Sequence, residues 1–157
     1  MKTKPKGAQR VYIGSDHGGF ELKNELKEFL ANKDYVVEDI GAHRYNSKDD
    51  YPDFAFNLCK KVIKSGGRGI LLCKSGAGMY IAANKVLGIY AAAAWNEESA
   101  MRAKKDENAN VLCIAALLTN VRTAKRIVNI WLEYPFEGGR HLRRLNKIKR
   151  IEKRYLS

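Results

Sequence analysis

The chain has 157 residues, 45% hydrophobic and 29% charged, which suits one packed domain and argues against a disordered chain. With 29 Lys and Arg against 17 Asp and Glu the formal charge is +12, so anionic partners are favoured: phosphate esters, nucleic acid or acidic surfaces. Three cysteines, Cys59, Cys73 and Cys113, have no Cys-x-x-Cys spacing, which argues against a disulfide framework and a cysteine zinc site. No apolar run is long enough to span a bilayer.

The first nine residues form a basic lead without the apolar stretch of a signal peptide, so a cytoplasmic protein is expected. Val11 to Gly14 reads as a strand closed by the loop Ser15-Asp-His-Gly-Gly19. Leu22, Leu26, Phe29 and Leu30 then recur at helical spacing. A second strand covers Tyr35 to Ile40. The polar loop through Asp49-Asp50 leads to Tyr51-Pro52, where proline can open a helix carrying Phe54, Leu58 and Val62. Gly69 to Cys73, Ile89 to Ala94 and Val111 to Ala115 are three further strands. Helices are predicted over Met79 to Val86, Glu97 to Lys105, Val121 to Leu132 and Leu142 to Tyr155.

Strands separated by single helices point to right-handed crossovers. The expected fold is a single doubly wound, Rossmann-like three-layer α/β domain over 1–157, with a five-stranded parallel sheet and a basic C-terminal helix over about 140–155. Ligands of such sheets bind beyond the carboxyl ends of the strands, which directs attention to the loops after Gly14, Cys73 and Ala94 and to the segment before Val111.

Three segments carry candidate chemistry. In Cys73-Lys-Ser-Gly-Ala-Gly78, Gly76 and Gly78 allow an anion to approach the backbone, although such a loop also serves as a plain tight turn. It is not a Walker loop, because the Gly-Lys-Ser/Thr ending is missing. Cys73 would stand among N–H dipoles and the Lys74 cation, a setting in which a thiol serves as base or nucleophile; Cys59 and Cys113 read as buried structural cysteines. In Gly14-Ser-Asp-His-Gly-Gly19, Asp16 can bind sugar hydroxyls or cap the next helix, and His17 can donate to a phosphate or ring oxygen or simply be exposed. His17, His43 and His141 have no short-range ligand spacing, so no metal is expected. From Arg140 to Arg154 there are eight Lys/Arg and one Glu, with Leu142, Leu145, Ile148 and Ile151 as an apolar stripe that should pack on something. Arg140 and Arg144 share a face and suit a phosphate dianion. No aromatic residue interleaves this basic cluster before Tyr155, which argues against nucleic acid as the partner. Trp95 and Trp131 read as core or interface residues, and Tyr51 either lines a pocket or packs.

Together these segments resemble the family of ribose-5-phosphate isomerase type B and galactose-6-phosphate isomerase, from Val11 to about Arg150. The markers are Gly14-Ser-Asp-His-Gly-Gly19, Asp50-Tyr-Pro52, Cys73-x-Ser-Gly-x-Gly78, Ile81-Ala-Ala-Asn-Lys85, Asn108-Ala-Asn-Val111 and Gly138-Gly-Arg-His-x-x-Arg144. The resemblance implies metal-free, cofactor-free interconversion of an aldose phosphate and a ketose phosphate through a cis-enediol. It implies Cys73 as base, since the family's alternative glutamate position is Met79 here. Ser75 would assist, the amides of Lys74, Ser75, Gly76, Ala77 and Gly78 would stabilise the enediolate, and Asp16 would hold sugar hydroxyls. His17 would lie near the phosphate or ring end, Tyr51 and His141 near the substrate, and Arg140 and Arg144 on the phosphate across a subunit boundary. A homodimer with shared sites is the implied unit, and some relatives are tetramers. Where the family usually carries His-Asn before the fifth strand, with the histidine opening the sugar ring, this chain has Asp106-Glu107. Leu117 stands where an arginine often binds phosphate, and Lys74 replaces a glycine. Asp106 would have to relay the ring-opening proton, with Glu107 beside the substrate. These departures point to two expectations: ribose 5-phosphate as the default substrate, or another sugar phosphate such as a hexose 6-phosphate. A non-catalytic binder of phosphate or nucleic acid is the third reading, weakened by the presence of Cys73 and Asp16.

Overall fold

The computed structural model describes residues 9–156, so the basic lead falls, but for residue 9, outside the described residues. Five strands form one sheet: β1 (Arg10–Ser15), β2 (Val36–Gly41), β3 (Arg68–Cys73), β4 (Ala91–Ala93) and β5 (Val111–Ala115). All pair in parallel, in the order β2-β1-β3-β5-β4. The helices are α1 (Phe20–Ala31), α2 (Tyr51–Ser65), α3 (Ala77–Ala83), α4 (Glu97–Lys105), α5 (Val121–Glu133) and α6 (Arg140–Tyr155).

Strand periodicity divides the core into two layers. Val11, Ile13, Ile70, Leu72, Leu112 and Ile114 pack with Leu26 of α1, Ala100 of α4 and Ile127, Val128 and Trp131 of α5. The intervening Tyr12, Leu71, Cys73, Val111 and Cys113 pack with Leu58 and Val62 of α2 and Met79 and Ala83 of α3. Helices therefore cover both faces, as a doubly wound sheet requires. The chain runs from β1 to β2 on one side and returns to β3 on the other. The crevice of this topology accordingly lies at the carboxyl ends of β1 and β3.

Most boundaries fall where the sequence places them, and the exceptions have local causes. The fourth strand is three residues, not six, because the Ile89 N–H turns back to the Val86 carbonyl and the Tyr90 N–H donates to the Asn110 side chain. The third helix starts two residues early, after Gly76 in the left-handed region (φ 76°). Trp131 is fully buried, whereas Trp95 is 70% exposed and contributes nothing to the core.

The apolar stripe of α6 behaves unlike an ordinary core face. Leu145 is buried, but Leu142, Ile148 and Ile151 are exposed. The helix is tied to the domain by His141, which faces Asp106, and by the Tyr90 hydroxyl donating to Glu152 at 2.9 Å. Asp106 caps the end of α4 and Tyr90 precedes β4, so both ties lie at the amino-terminal edge of the sheet. Among the described residues, no helix is long and apolar enough to cross a membrane.

Two buried lysines mark opposite solutions to one problem. Lys23 is fully buried but meets Asp39 at 2.9 and 3.0 Å and also bonds the Ala42 carbonyl. Burial acts on Asp39 to raise its pKa, yet hydrogen bonds from Lys23, Lys27 and the Gly41 N–H outweigh that and hold it low. Lys104, by contrast, meets among the described residues only the neutral Asn108 oxygen, at 2.5 Å. Burial, with the Arg68 charge adding to it, pushes Lys104 down to about 8. The unfolded chain keeps this proton to about 10.4. Below pH 8 both states are charged and the fold carries the full desolvation cost; stability from this group then rises as pH climbs through that window. Lys104→Met should therefore be more stable than wild type at pH 7 by about 2 kcal/mol, after the lost Asn108 bond is subtracted. Urea unfolding at pH 7 and pH 9.5 checks this. An unchanged variant with the same pH slope would place the cost elsewhere.

Candidate active site

The apolar run of β3 ends at Cys73, which is 4% exposed and lies on the face covered by α2 and α3. Its Sγ accepts the Gly76 N–H at 3.1 Å. The chain can fold back on the sulfur because Gly76 takes a positive φ, and a Cβ there would also press on the Ala115 backbone nitrogen at 3.1 Å. Ser75 is exposed, and its Oγ accepts the Ala77 N–H at 3.3 Å. Over Gly78 lies the Tyr51 ring: a Cβ at that glycine would sit 2.7 Å from it. Tyr51 thus both packs and covers the loop.

The β1 loop abuts this one. A Cβ on Gly18 would be 2.8 Å from the Lys74 nitrogen, and one on Gly19 would be 2.6 Å from Leu72 Cβ. Asp16, 6% exposed, accepts the Gly18 N–H at 2.9 Å, so it does cap the short 3-10 turn His17–Gly19. Burial raises its pKa, the Gly18 bond opposes that, and the Asp49 charge adds to the rise. His17 is one-third exposed and its Nδ1 lies 2.6 Å from Asp49 Oδ1. On the far side of Lys74, its carbonyl accepts the Leu117 N–H at 3.0 Å. Cys73, Lys74, Ser75, Gly76, Ala77, Gly78, Asp16, His17, Tyr51 and Leu117 therefore gather at one end of the sheet.

Asp106, Glu107, Arg140, His141 and Arg144 do not join them within one chain. Asp106 ends α4, and β5 then runs from Val111, opposite Gly69, to Ala115, opposite Cys73. That places Asp106 at the other edge of the sheet, at least about 13 Å of strand away. Asp106 contacts Arg102 at 3.4 Å and His141 Nε2 at 3.6 Å, and Glu137 lies 3.8 Å from the same nitrogen. His141, expected near the substrate, is 6% exposed and faces Asp106 from the first turn of α6. Arg140, Arg144 and Glu107 are exposed, and neither arginine makes an ion pair among the described residues.

Among the described residues, two sets of groups have the spacing to hold a cation: Asp16, His17 and Asp49, and Asp106, Glu137 and His141. In the first the histidine is already hydrogen-bonded to Asp49, and in the second Arg102 and Lys105 sit on the carboxylates. Asp49 is the residue that sequence reading passed over. Its position before Asp50-Tyr-Pro52 looks like helix punctuation, and its contact with His17 spans 32 residues.

A buried thiol under a glycine loop, beside an acid and a histidine at the β1/β3 crevice, defines a doubly wound protein built to act on a small polar substrate. The ribose/galactose isomerase family model matches residues 11–148. The chain is 43% identical over 145 residues to a protein of Mycoplasma genitalium named as a probable ribose-5-phosphate isomerase B, covering 91% of this chain and 95% of that one. It is 40% identical to a D-erythrulose-4-phosphate isomerase of Pectobacterium atrosepticum, covering 88% and 91%. The crystal structure of the Mycoplasma genitalium ribose-5-phosphate isomerase B with bound ribulose 5-phosphate superimposes with a TM-score of 0.90 over 92% of this chain and 96% of that one, at 43% identity. The chain belongs to the ribose/galactose isomerase family and is a sugar-phosphate isomerase.

Proposed function

We propose that the chain interconverts ribose 5-phosphate and ribulose 5-phosphate through a cis-enediol, with Cys73 as the base. The observation that carries this is the position of Cys73 Sγ, at the strand end under the Gly76 amide and next to the Asp16–Gly18 loop. The other thiols are unsuited: burial pushes Cys59 up to about 12, and pushes Cys113 further up with help from its neighbouring thiols. In the forward direction the Cys73 sulfur takes the C2 proton of the open-chain aldose while O1 gains a proton. The O2 proton then leaves as the sulfur returns its proton to C1, giving the ketose with no net change in atoms. Amides of the 74–78 loop and the Ser75 hydroxyl stabilise the enediolate oxygens, and a preorganised donor of this kind is worth most in a closed site. Asp16 holds sugar hydroxyls, His17 faces the phosphate or ring end, and Tyr51 closes the loop side.

Arg140 and Arg144, the cations expected on the phosphate, do not reach Cys73 within one chain. Four residues apart on the exposed start of α6, they fit the task if a second copy presents them. The uncovered Leu142, Ile148 and Ile151 supply the apolar surface for such a homodimer. Asp106 and Glu107 would come from that same second copy. No metal or cofactor enters this reading, and the protein is placed in the cytoplasm.

A second reading is favoured by Asp106, Glu107 and Leu117 and by the tetrulose-phosphate isomerase among the relatives: the same chemistry on another sugar phosphate. Incubation with ribose 5-phosphate in deuterium oxide, followed by NMR, tests both. Ribulose 5-phosphate should form, with deuterium at the transferred position wherever the base exchanges with solvent. No ketose from folded protein that does turn over a tetrose or hexose phosphate would transfer the assignment to the second reading.

A further inference from the structure

Asp49 lies in the loop between β2 and α2, with its side chain only 10% exposed. One oxygen, Oδ1, accepts twice from one residue: the His17 backbone N–H at 3.0 Å and ring Nδ1 at 2.6 Å. The other oxygen, Oδ2, is buried and has no hydrogen-bond partner among the described residues. Among the described residues, every hydrogen bond to this carboxylate therefore comes from His17. The backbone contact alone would staple the two loops together; the ring contact adds control of the imidazole. With Nδ1–H committed to Asp49, the nitrogen that the one-third-exposed ring presents to a ligand is Nε2. The Tyr45 ring stands edge-on at 6.1 Å and limits the swing of the imidazole from another side. The arrangement is not one that stability alone favours. It sets a second, part-buried carboxylate beside Asp16, with candidate ligand atoms of Asp16, His17 and Asp49 all within 4.8 Å.

We propose that Asp49 is a positioning residue that locks the His17 tautomer and rotamer so that Nε2 meets the sugar phosphate. This rests on the isomerase reading above for the identity of the ligand, but not for the lock itself.

Two substitutions separate orientation from charge. Asp49→Ala removes both contacts, whereas Asp49→Asn keeps an oxygen able to accept from the backbone and the ring. Two-bond nitrogen–proton spectra of the His17 ring, recorded well above the histidine titration range, should show the Nδ1–H tautomer in wild type and Asp49→Asn. Asp49→Ala should revert to the Nε2–H form that free histidine prefers. In kinetics, Asp49→Ala should raise KM for the phosphorylated sugar about tenfold, the loss expected of one charge-assisted hydrogen bond, with kcat changed far less and Asp49→Asn partly rescuing. Because Asp49 acts through His17, adding Asp49→Ala to His17→Ala should cost nothing further. An Nε2–H tautomer in active wild type, or an undiminished loss in the His17→Ala background, overturns the lock. Absence of isomerisation by wild type, with the Nδ1–H tautomer present, overturns the functional reading and leaves the lock standing.

Discussion

Cys73→Ala is expected to lower kcat for ribose 5-phosphate by about 10² to 10⁴, the range for loss of a positioned general base, in a protein that still folds and still binds the sugar phosphate. Folding should survive because Cys73 ends its strand, with the Ala116 N–H bonded to its carbonyl rather than to its side chain. Binding should survive because the groups assigned to hold the substrate are Asp16, His17 and the arginines, none of which bonds the sulfur. Cys73→Ser is the sharper variant. It replaces the thiol by a hydroxyl that can still accept the Gly76 N–H, so the loop retains its shape, yet a hydroxyl is far too weak a base to take a carbon-bound proton unaided. Cys113→Ala provides the control: its thiol is 1% exposed, paired opposite Leu71 in mid-sheet, and its loss should cost some stability while leaving kcat within severalfold. Steady-state kinetics with thermal melts on the three variants gives the reading. Near-full kcat in Cys73→Ser would remove the thiol from the proton path and return attention to Asp16, whose raised pKa equips a carboxyl to hold a proton nearer neutrality.

Much of this was written in short-range pattern. The run Gly69 to Cys73, stopped by Lys-Ser-Gly, marks a buried strand with a cysteine at its mouth, and the structure has β3 end there. Asp50-Tyr-Pro opens α2 because proline loses nothing in the first helical turn. What stayed illegible depends on pairing across the chain. That β5 inserts between β3 and β4 follows from long-range register, which the residues of neither strand declare, although both strands are legible as runs. Gly-Gly-Arg-His reads as a ligand motif, yet the fold turns His141 inward on Asp106 and Glu137 while Arg140 and Arg144 stay outside. Asp49 is the same lesson in reverse: a residue that resembles loop punctuation gains its role only when β1 and the α2 loop meet.

Arg140→Ala combined with Arg144→Ala should reduce kcat/KM for ribose 5-phosphate by about 10²-fold or more, since each guanidinium would lose charge-assisted bonds to the phosphate. The loss should fall mainly on KM, because these bonds are made in ground and transition states alike. The stronger test uses the geometry. Both ties of α6, His141 to Asp106 and Glu152 to Tyr90, hold it at the edge of the sheet opposite Cys73. A site that contains Cys73 and these arginines must therefore draw them from different chains. Assayed at substrate well below KM, mixing the arginine double variant with Cys73→Ala, each nearly inactive there, creates heterodimers in which one site pairs an intact Cys73 with an intact arginine pair. Under random assortment of two-fold dimers about a quarter of wild-type activity should return. If each chain completed its own site, every site in the mixture would lack either its base or its phosphate clamp, and no activity would return at any ratio. Recovery that peaks near equal amounts of the two variants, and vanishes on dilution as the dimers part, would place the phosphate clamp across the subunit boundary; flat inactivity with exchange of subunits demonstrated would put the clamp on cations nearer Cys73, with Lys74 the first to replace.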